Sequence, residues 1–153
     1  MRVGLISDTH GLVRPEALAA LRGVDHILHA GDIGGVGVLE TLSSVAPVTA
    51  IRGNNDNDAW GRALPDTEMV ELAGTWVYLV HDLGDLDIDP VAAGVDVVMS
   101  GHSHKPAVFE EDGVLYVNPG SAGPRRFTLP ISVGTLIIEG GRPRAELTTL
   151  EIR

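Results

Sequence analysis

The chain has 153 residues, of which 44% are hydrophobic and 21% are charged, and this balance excludes an intrinsically disordered chain. Its net charge of -10 argues against an extended surface for nucleic acid or an anionic membrane, because such a surface must be basic. The absence of cysteine excludes disulfides and thiolate metal ligands. We expect a single domain over residues 1–153, and a cytoplasmic protein because the apolar run before Ser7 is too short for a signal peptide.

The first half of the chain predicts alternating strands and helices. Apolar runs predict strands at Val3–Ile6, His26–His29 and Val48–Ile51. The segments between them predict helices at Pro15–Leu21 and Val36–Val45. Consecutive parallel strands need crossovers of this length, so a parallel sheet is expected here. Ligands bind beyond the carboxyl ends of such strands, and the loops that follow all three should therefore meet in one place.

The second half predicts mostly strands. Hairpin turns at Glu111-Asp112-Gly113 and Glu139-Gly140-Gly141 favour antiparallel pairing there. The expected fold class is α/β, with a mixed β-sheet or a two-sheet β-sandwich flanked by α-helices and without a cap domain. The predicted strands are Glu68–Leu72, Trp76–Val80, Val95–Met99, Ala107–Glu111, Val114–Val117, Ile131–Ile138 and Ala145–Glu151.

Short polar motifs follow several of these apolar runs. They are Asp8-Thr9-His10, Gly31-Asp32, Gly53-Asn54-Asn55-Asp56, His81-Asp82 and Gly101-His102-Ser103-His104. Alternate residues at a strand end point the same way, which is the geometry of a pair of metal ligands. Two carboxylates, one amide and four imidazoles are too many for one catalytic ion, but they are enough for two ions that share a carboxylate. This mixture of donors suits Mn, Fe, Co, Ni or Zn better than Ca or Mg.

The ordered set D-x-H, G-D, G-N-x-D, H and G-H-x-H resembles the calcineurin-like metallophosphoesterase superfamily, and the short chain is similar to its compact YfcE-type phosphodiesterases. The segment Asn118-Pro119-Gly120-Ser121 also matches these small members. The resemblance implies an αββα fold and two divalent ions, with Mn expected first, that activate water to hydrolyse a small-molecule or nucleotide-like phosphodiester. It implies that Asp32 bridges the ions, that one ion is held by Asp8, His10 and His104, and that the other is held by Asn54, His81 and His102.

Position 55 departs from the pattern of the family. Many members have G-N-H-D and place a histidine beside the leaving group, whereas Asn55 can donate a hydrogen bond but cannot deliver a proton. The sequence therefore leaves the identity of the general acid open. We expect slow turnover that is fastest on substrates with acidic leaving groups, such as aryl phosphodiesters. The candidate catalytic residues are Asp32, Asn54 and Asn55. The candidate substrate-binding residues are Asn55 and Arg125, and pairing of Arg125 and Arg126 with surface carboxylates is the equal alternative.

Further polar residues near the motifs can be explained by structural roles, without a direct role in metal binding. We expect His26 and His29 to be strand or surface histidines without a partner, and orientation of a metal ligand is the alternative. Asp56 is expected to hold the Asn54 loop by an Asx-type hydrogen bond. Asp82 either orients the neighbouring histidine or caps the following turn.

Two other functions stay open at this point. The same metal pair would serve a phosphomonoesterase or a nucleotide pyrophosphohydrolase. A non-catalytic binding scaffold is the other alternative, since the retromer subunit Vps29 resembles this fold. The expected partner is a small phosphoester substrate, and whether the chain forms a homo-oligomer is open.

Overall fold

The structure is a computed structural model that describes residues 1–152. Its strands are Arg2–Ile6 (β1), His26–His29 (β2), Val48–Ala50 (β3), Thr67–Leu72 (β4), Thr75–Val80 (β5), Val97–Met99 (β6), Ala107–Glu111 (β7), Val114–Asn118 (β8), Ser132–Glu139 (β9) and Arg142–Thr149 (β10). The α-helices are Pro15–Ala20 (α1), Val36–Ser43 (α2) and Ala59–Arg62 (α3), and a 3₁₀ helix spans Leu83–Asp85.

The first sheet has the strand order β10-β9-β1-β2-β3. Strands β1, β2 and β3 are parallel, as the spacing of the apolar runs predicts, and β9 and β10 extend the sheet in antiparallel fashion. Helices α1 and α2 cover its outer face, where Ala17, Leu21 and Leu42 pack with Ile6 and Ile27. The crossovers therefore hold the three parallel strands with their carboxyl ends at one edge.

The second sheet has the strand order β4-β5-β6-β8-β7, with β5, β6 and β8 parallel to one another. Antiparallel hairpins add β4 and β7 at its edges. The β7–β8 hairpin turns through Asp112 (φ 52°) and Gly113 (φ 80°), and the β9–β10 hairpin turns through Gly140 and Gly141 (φ 59° and 79°). Positive φ at both central residues is typical of the tight turns that the sequence predicts at these places.

The two sheets pack face to face around a common core. Leu5 and Leu28 of the first sheet join Val77, Leu79 and Met99 of the second, and all five side chains are fully buried. This arrangement confirms the predicted class of a two-sheet sandwich flanked by helices. The outer face of the second sheet is covered by the segment that contains the 3₁₀ helix.

Some elements differ from the sequence prediction. Helix α3 is not predicted from the sequence, because its four residues are too few to show a helical period. It packs closely on the loop before it, where a Cβ at Gly61 would overlap the Asp56 carbonyl oxygen. The last strand was predicted at Ala145–Glu151 but runs over Arg142–Thr149, because the preceding glycine turn pairs Arg142 with Glu139. Over residues 1–152, no helix has the length and apolar character needed to cross a membrane.

Candidate metal centre

The loops that follow β1, β2, β3, β5 and β6 meet at one end of the sandwich. The backbone N–H groups of Asp8 and His10 donate to the carbonyl oxygens of Gly31 and Asp32, each at 3.0 Å. The Gly101 N–H donates to the His81 carbonyl at 2.9 Å, which joins the last two loops. The short motifs of the sequence are therefore brought together by backbone hydrogen bonds.

Six carboxylate and imidazole side chains form two adjacent clusters. Each member contributes one ligand atom, and these atoms lie within 4.8 Å of one another in each cluster. The buried cluster consists of Asp8, His10 and His104, and the open cluster consists of Asp32, His81 and His102. The buried cluster has the same members as one ligand set that the resemblance implies, and the open cluster shares His81 and His102 with the other set.

Asp8 presents one bare carboxylate oxygen to the imidazoles. Its Oδ1 atom lies 3.5 Å from Nε2 of His104, 3.9 Å from Nε2 of His81 and 4.0 Å from Nε2 of His10. This oxygen is buried and has no hydrogen-bond partner within residues 1–152. Burying an unpaired anionic oxygen is unfavourable, and a cation shared with the imidazoles would remove that penalty. The residues therefore fit a divalent metal ion.

The other oxygen of Asp8 is fixed by the protein. Its Oδ2 atom accepts from the Ser7 hydroxyl at 2.8 Å and from the His102 N–H at 3.0 Å. Burial raises the pKa of Asp8, and the Ser7 hydrogen bond opposes this effect. A cation would favour the ionised carboxylate in the same way.

Asp32 lies between the clusters. Its Oδ2 atom is 3.3 Å from Nε2 of His81 in the open cluster and 3.8 Å from Nε2 of His10 in the buried cluster. Asn55 donates to both of its oxygens, through the backbone N–H at 2.9 Å and through Nδ2 at 3.1 Å. Burial alone would raise the pKa of Asp32, but the hydrogen bonds with His81 and Asn55 lower it well below its usual range.

His81 is oriented by a backbone carbonyl. Its Nδ1 atom donates to the Ala30 oxygen at 2.7 Å, which directs Nε2 toward Asp32. Burial lowers the pKa of His81, but the hydrogen bonds with Asp32 and Ala30 outweigh it and raise the pKa to about 8. In the buried cluster, burial lowers the pKa of His104.

Asn54 joins the open cluster through its side-chain amide. One terminal atom of the amide lies 3.2 Å from both oxygens of Asp32 and 3.1 Å from Nε2 of His81. Without a cation the NH₂ group takes this place and donates to Asp32, whereas a shared cation would allow the amide oxygen to take it. The position of Asn54 agrees with the predicted seventh ligand.

Five of the seven candidate ligands have a left-handed backbone. The φ angles are 54° for Asp8, 47° for His10, 56° for Asp32, 69° for His102 and 63° for His104. The sequence predicts that alternation along a strand gives the paired side chains their common direction. The structure shows that tight turns with a left-handed backbone direct them instead. Left-handed backbone at residues other than glycine costs about 1–3 kcal/mol each and concentrates at functional sites.

Two glycines of the motifs allow the loops to approach closely. A Cβ at Gly53 would overlap the backbone nitrogen and Oδ1 of Asp32. A Cβ at Gly101 would overlap the Ser7 hydroxyl and lie 2.7 Å from Oδ2 of Asp8. Any side chain at these positions would push the carboxylates out of place.

Buried polar residues around the clusters hold the loops. Asp56 accepts from Gly53 N–H at 2.9 Å, as expected, and also from Ile33 N–H at 3.0 and 3.1 Å. Asn118, in the segment shared with the small family members, donates to the Gly101 carbonyl at 3.0 Å. Asp82 accepts from the Gly84 N–H at 3.0 Å and thus caps the following turn.

The prediction that His26 and His29 have no partners is wrong. Nε2 of His26 contacts the Thr49 hydroxyl at 2.8 Å, and Nε2 of His29 contacts the Thr9 hydroxyl at 3.0 Å. His29 is fully buried in a strand. The signal in the sequence was a histidine at a buried position of an apolar run, where an imidazole requires a hydrogen-bond partner.

A cavity of about 510 Å³ opens beside the open cluster, and Asn54, His81 and His102 contribute to its wall. On the rim, Arg52 pairs with Asp66 at 2.6 Å. Further acidic residues of the wall are Asp82, Asp85 and Asp87. The cavity therefore combines ligand atoms with a negatively charged rim.

The two candidate arginines lie in an exposed loop. The positive charge of Arg126 contributes to the lowered pKa of His104, after the larger effect of burial. Arg126 therefore acts on the buried cluster, whereas the substrate contact predicted for Arg125 stays a prediction.

Sequence comparison identifies the family. Residues 1–141 match the calcineurin-like phosphoesterase superfamily domain, and the chain belongs to this superfamily. The superfamily uses divalent metals, and the protein is a phosphoesterase hydrolase. A probable metallophosphoesterase of Methanothermobacter thermautotrophicus is 37% identical over 159 residues, covering 96% of this chain and 91% of the relative. A protein named phosphodiesterase from Methanocaldococcus jannaschii is 27% identical over 139 residues, covering 78% of this chain and 83% of that protein.

Solved structures agree with the fold. YfcE, a phosphoesterase from E. coli, superposes with a TM-score of 0.70 at 25% identity over 90% of this chain and 88% of its own, in agreement with the predicted resemblance to YfcE. A Vps29 mutant from Entamoeba histolytica superposes with a TM-score of 0.76 at 24% identity over 99% of this chain and 100% of its own. The likeness to Vps29 concerns the fold alone.

Proposed function

We propose that this phosphoesterase hydrolyses a phosphodiester of a small-molecule or nucleotide-like compound at two divalent ions, with manganese as the first choice and Ni, Co, Fe or Zn as replacements. The observation that carries the proposal is the buried, unpaired Oδ1 atom of Asp8, which faces three imidazoles beside the Asp32 carboxylate. The proposed ligands are Asp8, His10 and His104 for one ion, Asn54, His81 and His102 for the other, and Asp32 for both.

Divalent ions in these positions would activate water and neutralise charge on the phosphoryl group. The protein's own residues orient the ligands for that chemistry. Ser7 holds Asp8, and the Ala30 carbonyl holds His81. Asn55 holds Asp32 with one N–H of its side-chain amide, and the second N–H is available to a phosphoryl oxygen.

The charge of the cavity supports a diester over a monoester. A phosphodiester carries one negative charge near neutral pH, whereas a monoester carries close to two. The aspartates of the rim repel the dianion more strongly, although solvent screening keeps this effect small. A relative named phosphodiesterase supports the same choice.

The experiment is metal removal followed by metal addition. We expect stripped protein to regain hydrolysis of an aryl phosphodiester when Mn is supplied, with lower rates on the matching monoester. Ni, Co, Zn and Mg are tested one at a time. A preference for the monoester would favour a phosphomonoesterase instead.

A double substitution, Asp85→Asn with Asp87→Asn, tests the role of the charged rim. We expect the preference for the diester to fall about two- to threefold at low ionic strength, and to change less in high salt. Glu111→Gln with Asp112→Asn is the matched control, because these residues lie at the β7–β8 turn, outside the cavity wall, and the pair also removes two negative charges. Equal effects of the two changes would contradict the charge argument.

A non-catalytic scaffold is the second candidate, and the likeness to the Vps29 fold favours it. A scaffold is free to lose metal ligands, whereas all the expected positions are filled in this chain. Failure to bind any divalent ion, or silence on both esters with two ions bound, would favour the scaffold.

A further inference from the structure

His29 is an unusual residue for its position in the first sheet. Its neighbours in the strand and directly after it, Ile27, Leu28 and Ala30, are fully buried, and His29 itself is 0% exposed. An apolar side chain would be easier to bury at this point, because a polar group that leaves water must regain its hydrogen bonds. His29 is not among the proposed metal ligands, and the proposed function does not use it directly.

The hydrogen bonds of His29 define its protonation. The Gly31 N–H donates to Nδ1 at 3.1 Å, so Nδ1 carries no proton. The proton is therefore on Nε2, which donates to the Thr9 hydroxyl oxygen at 3.0 Å. The Thr9 hydroxyl in turn donates to the Ile33 carbonyl at 2.8 Å. Each donor in this chain of bonds has one acceptor, and the imidazole is neutral.

The bonds connect the two loops that carry the carboxylates. Thr9 lies between Asp8 and His10, and Gly31 and Ile33 lie on either side of Asp32. Both neighbours of Thr9 have the left-handed backbone, which persists only where the surroundings hold it. The Thr9 side chain provides such an anchor on the side of the loops that faces the core.

We propose that His29 and Thr9 are positioning residues, which fix the first loop to the second so that Asp8, His10 and Asp32 face one another before any ion binds. The inference rests on the proposed metal centre. Partners that orient metal ligands typically contribute about 10- to 100-fold to metal affinity. Burial holds the pKa of His29 at about 3, which keeps the imidazole neutral and its bonds intact over the working pH range.

The test measures Mn²⁺ affinity of the folded protein by titration calorimetry, together with the melting temperature of the metal-free protein. Thr9→Val keeps the shape of the side chain but removes the hydroxyl, and we expect it to weaken Mn²⁺ binding about 10-fold or more. Thr9→Ser restores the hydroxyl and should restore most of the affinity. The conservative variant separates loss of the hydrogen bond from a general loss of packing.

The chain offers a matched control in the His26–Thr49 pair. It joins the same types of side chain at the opposite end of β2, where His26 and Thr49 are only partly buried. Thr49→Val should therefore leave Mn²⁺ affinity unchanged. If Thr9→Val and Thr49→Val affect Mn²⁺ binding equally, the positioning role is overturned.

Two substitutions of His29 separate its two bonds. In His29→Gln, the terminal amide can still reach Thr9, whereas in His29→Asn the shorter side chain can only accept from Gly31. Of the two hydrogen bonds that His29 makes, only the bond to Thr9 reaches the first loop. The Gln variant should therefore retain more affinity for Mn²⁺ than the Asn variant. The reverse order would overturn the inference.

The design distinguishes the inference from the function on which it rests. If the unchanged protein binds no Mn²⁺, the metal centre and this inference both fail. If it binds Mn²⁺ and Thr9→Val binds equally well, the inference alone fails. A lower melting temperature in Thr9→Val with unchanged Mn²⁺ affinity would also overturn it, because the hydroxyl would then serve folding only.

Discussion

The two ligand clusters differ in their exposure to solvent. In the buried cluster, the side chains of Asp8 and His104 are 0% and 3% exposed, whereas that of His102 in the open cluster is 45% exposed and borders the cavity. Solvent reaches an exposed position more readily than a buried one, so water replaces an exposed ligand more easily when it is removed. We therefore expect the buried cluster to retain its ion and the open cluster to exchange its ion and face the substrate.

The largest effect is expected from the residue that both clusters share. Asp32→Asn removes the bridging charge, so both ions should bind more weakly and turnover should fall more than about 100-fold, beyond the usual effect of a residue that only orients ligands. Metal content and aryl diester hydrolysis are measured on the same preparation. Near-normal turnover with two ions bound would show that Asp32 is not the bridge.

A pair of histidine substitutions sharpens the comparison between the clusters. His104→Gln should weaken the ion of the buried cluster about 100-fold, because Oδ1 of Asp8 loses its nearest imidazole in a place that water does not reach. His102→Gln should weaken the other ion only about 10-fold, since water can take the vacant position. Both residues have a left-handed backbone, so each change meets similar local strain. Two-site Mn²⁺ titrations would refute the distinction if both losses were equal.

Lowering the pH should weaken Mn²⁺ binding at one cluster more than at the other, by a smaller factor than the histidine substitutions. The pKa of His81 is raised to about 8, so this imidazole is protonated below pH 8 and must lose the proton when an ion binds. Affinity at the open cluster should fall about fivefold between pH 8 and pH 7, because the unprotonated fraction of His81 falls from about one half to about one tenth. In the buried cluster, burial lowers the pKa of His104, so protonation of this imidazole competes with the ion less than protonation of His81 does. Mn²⁺ titrations at pH 8, 7 and 6 should show one site weakening first, and parallel weakening would contradict the assignment.

The sequence was sufficient to predict the fold class and to predict that the candidate ligands lie close together. Apolar runs that end in Asp, His and Gly marked the strands, and crossovers of helical length implied that β1, β2 and β3 are parallel. Both kinds of signal can be recognised along the chain without knowing which distant side chains contact each other. The hairpin turn at Asp112 and Gly113 was predictable for the same reason.

The features that were missed depend on contacts between distant segments. His29 and Thr9 are twenty positions apart, and their bond exists only because β1 and β2 lie side by side. The left-handed backbone at Asp8 and His10 follows from hydrogen bonds to the second loop. Helix α3 was missed for another reason, since its four residues are too few to show a helical period in the sequence.

The left-handed backbone of the ligands has a consequence for the evolution of this fold. If a descendant of this chain no longer needed metal, glycine at any of the five positions would relieve about 1 kcal/mol or more of strain. Selection for stability alone would then remove the ligands one after another. Aspartate or histidine stands at all five positions, so the chain retains this backbone strain together with the proposed ligands.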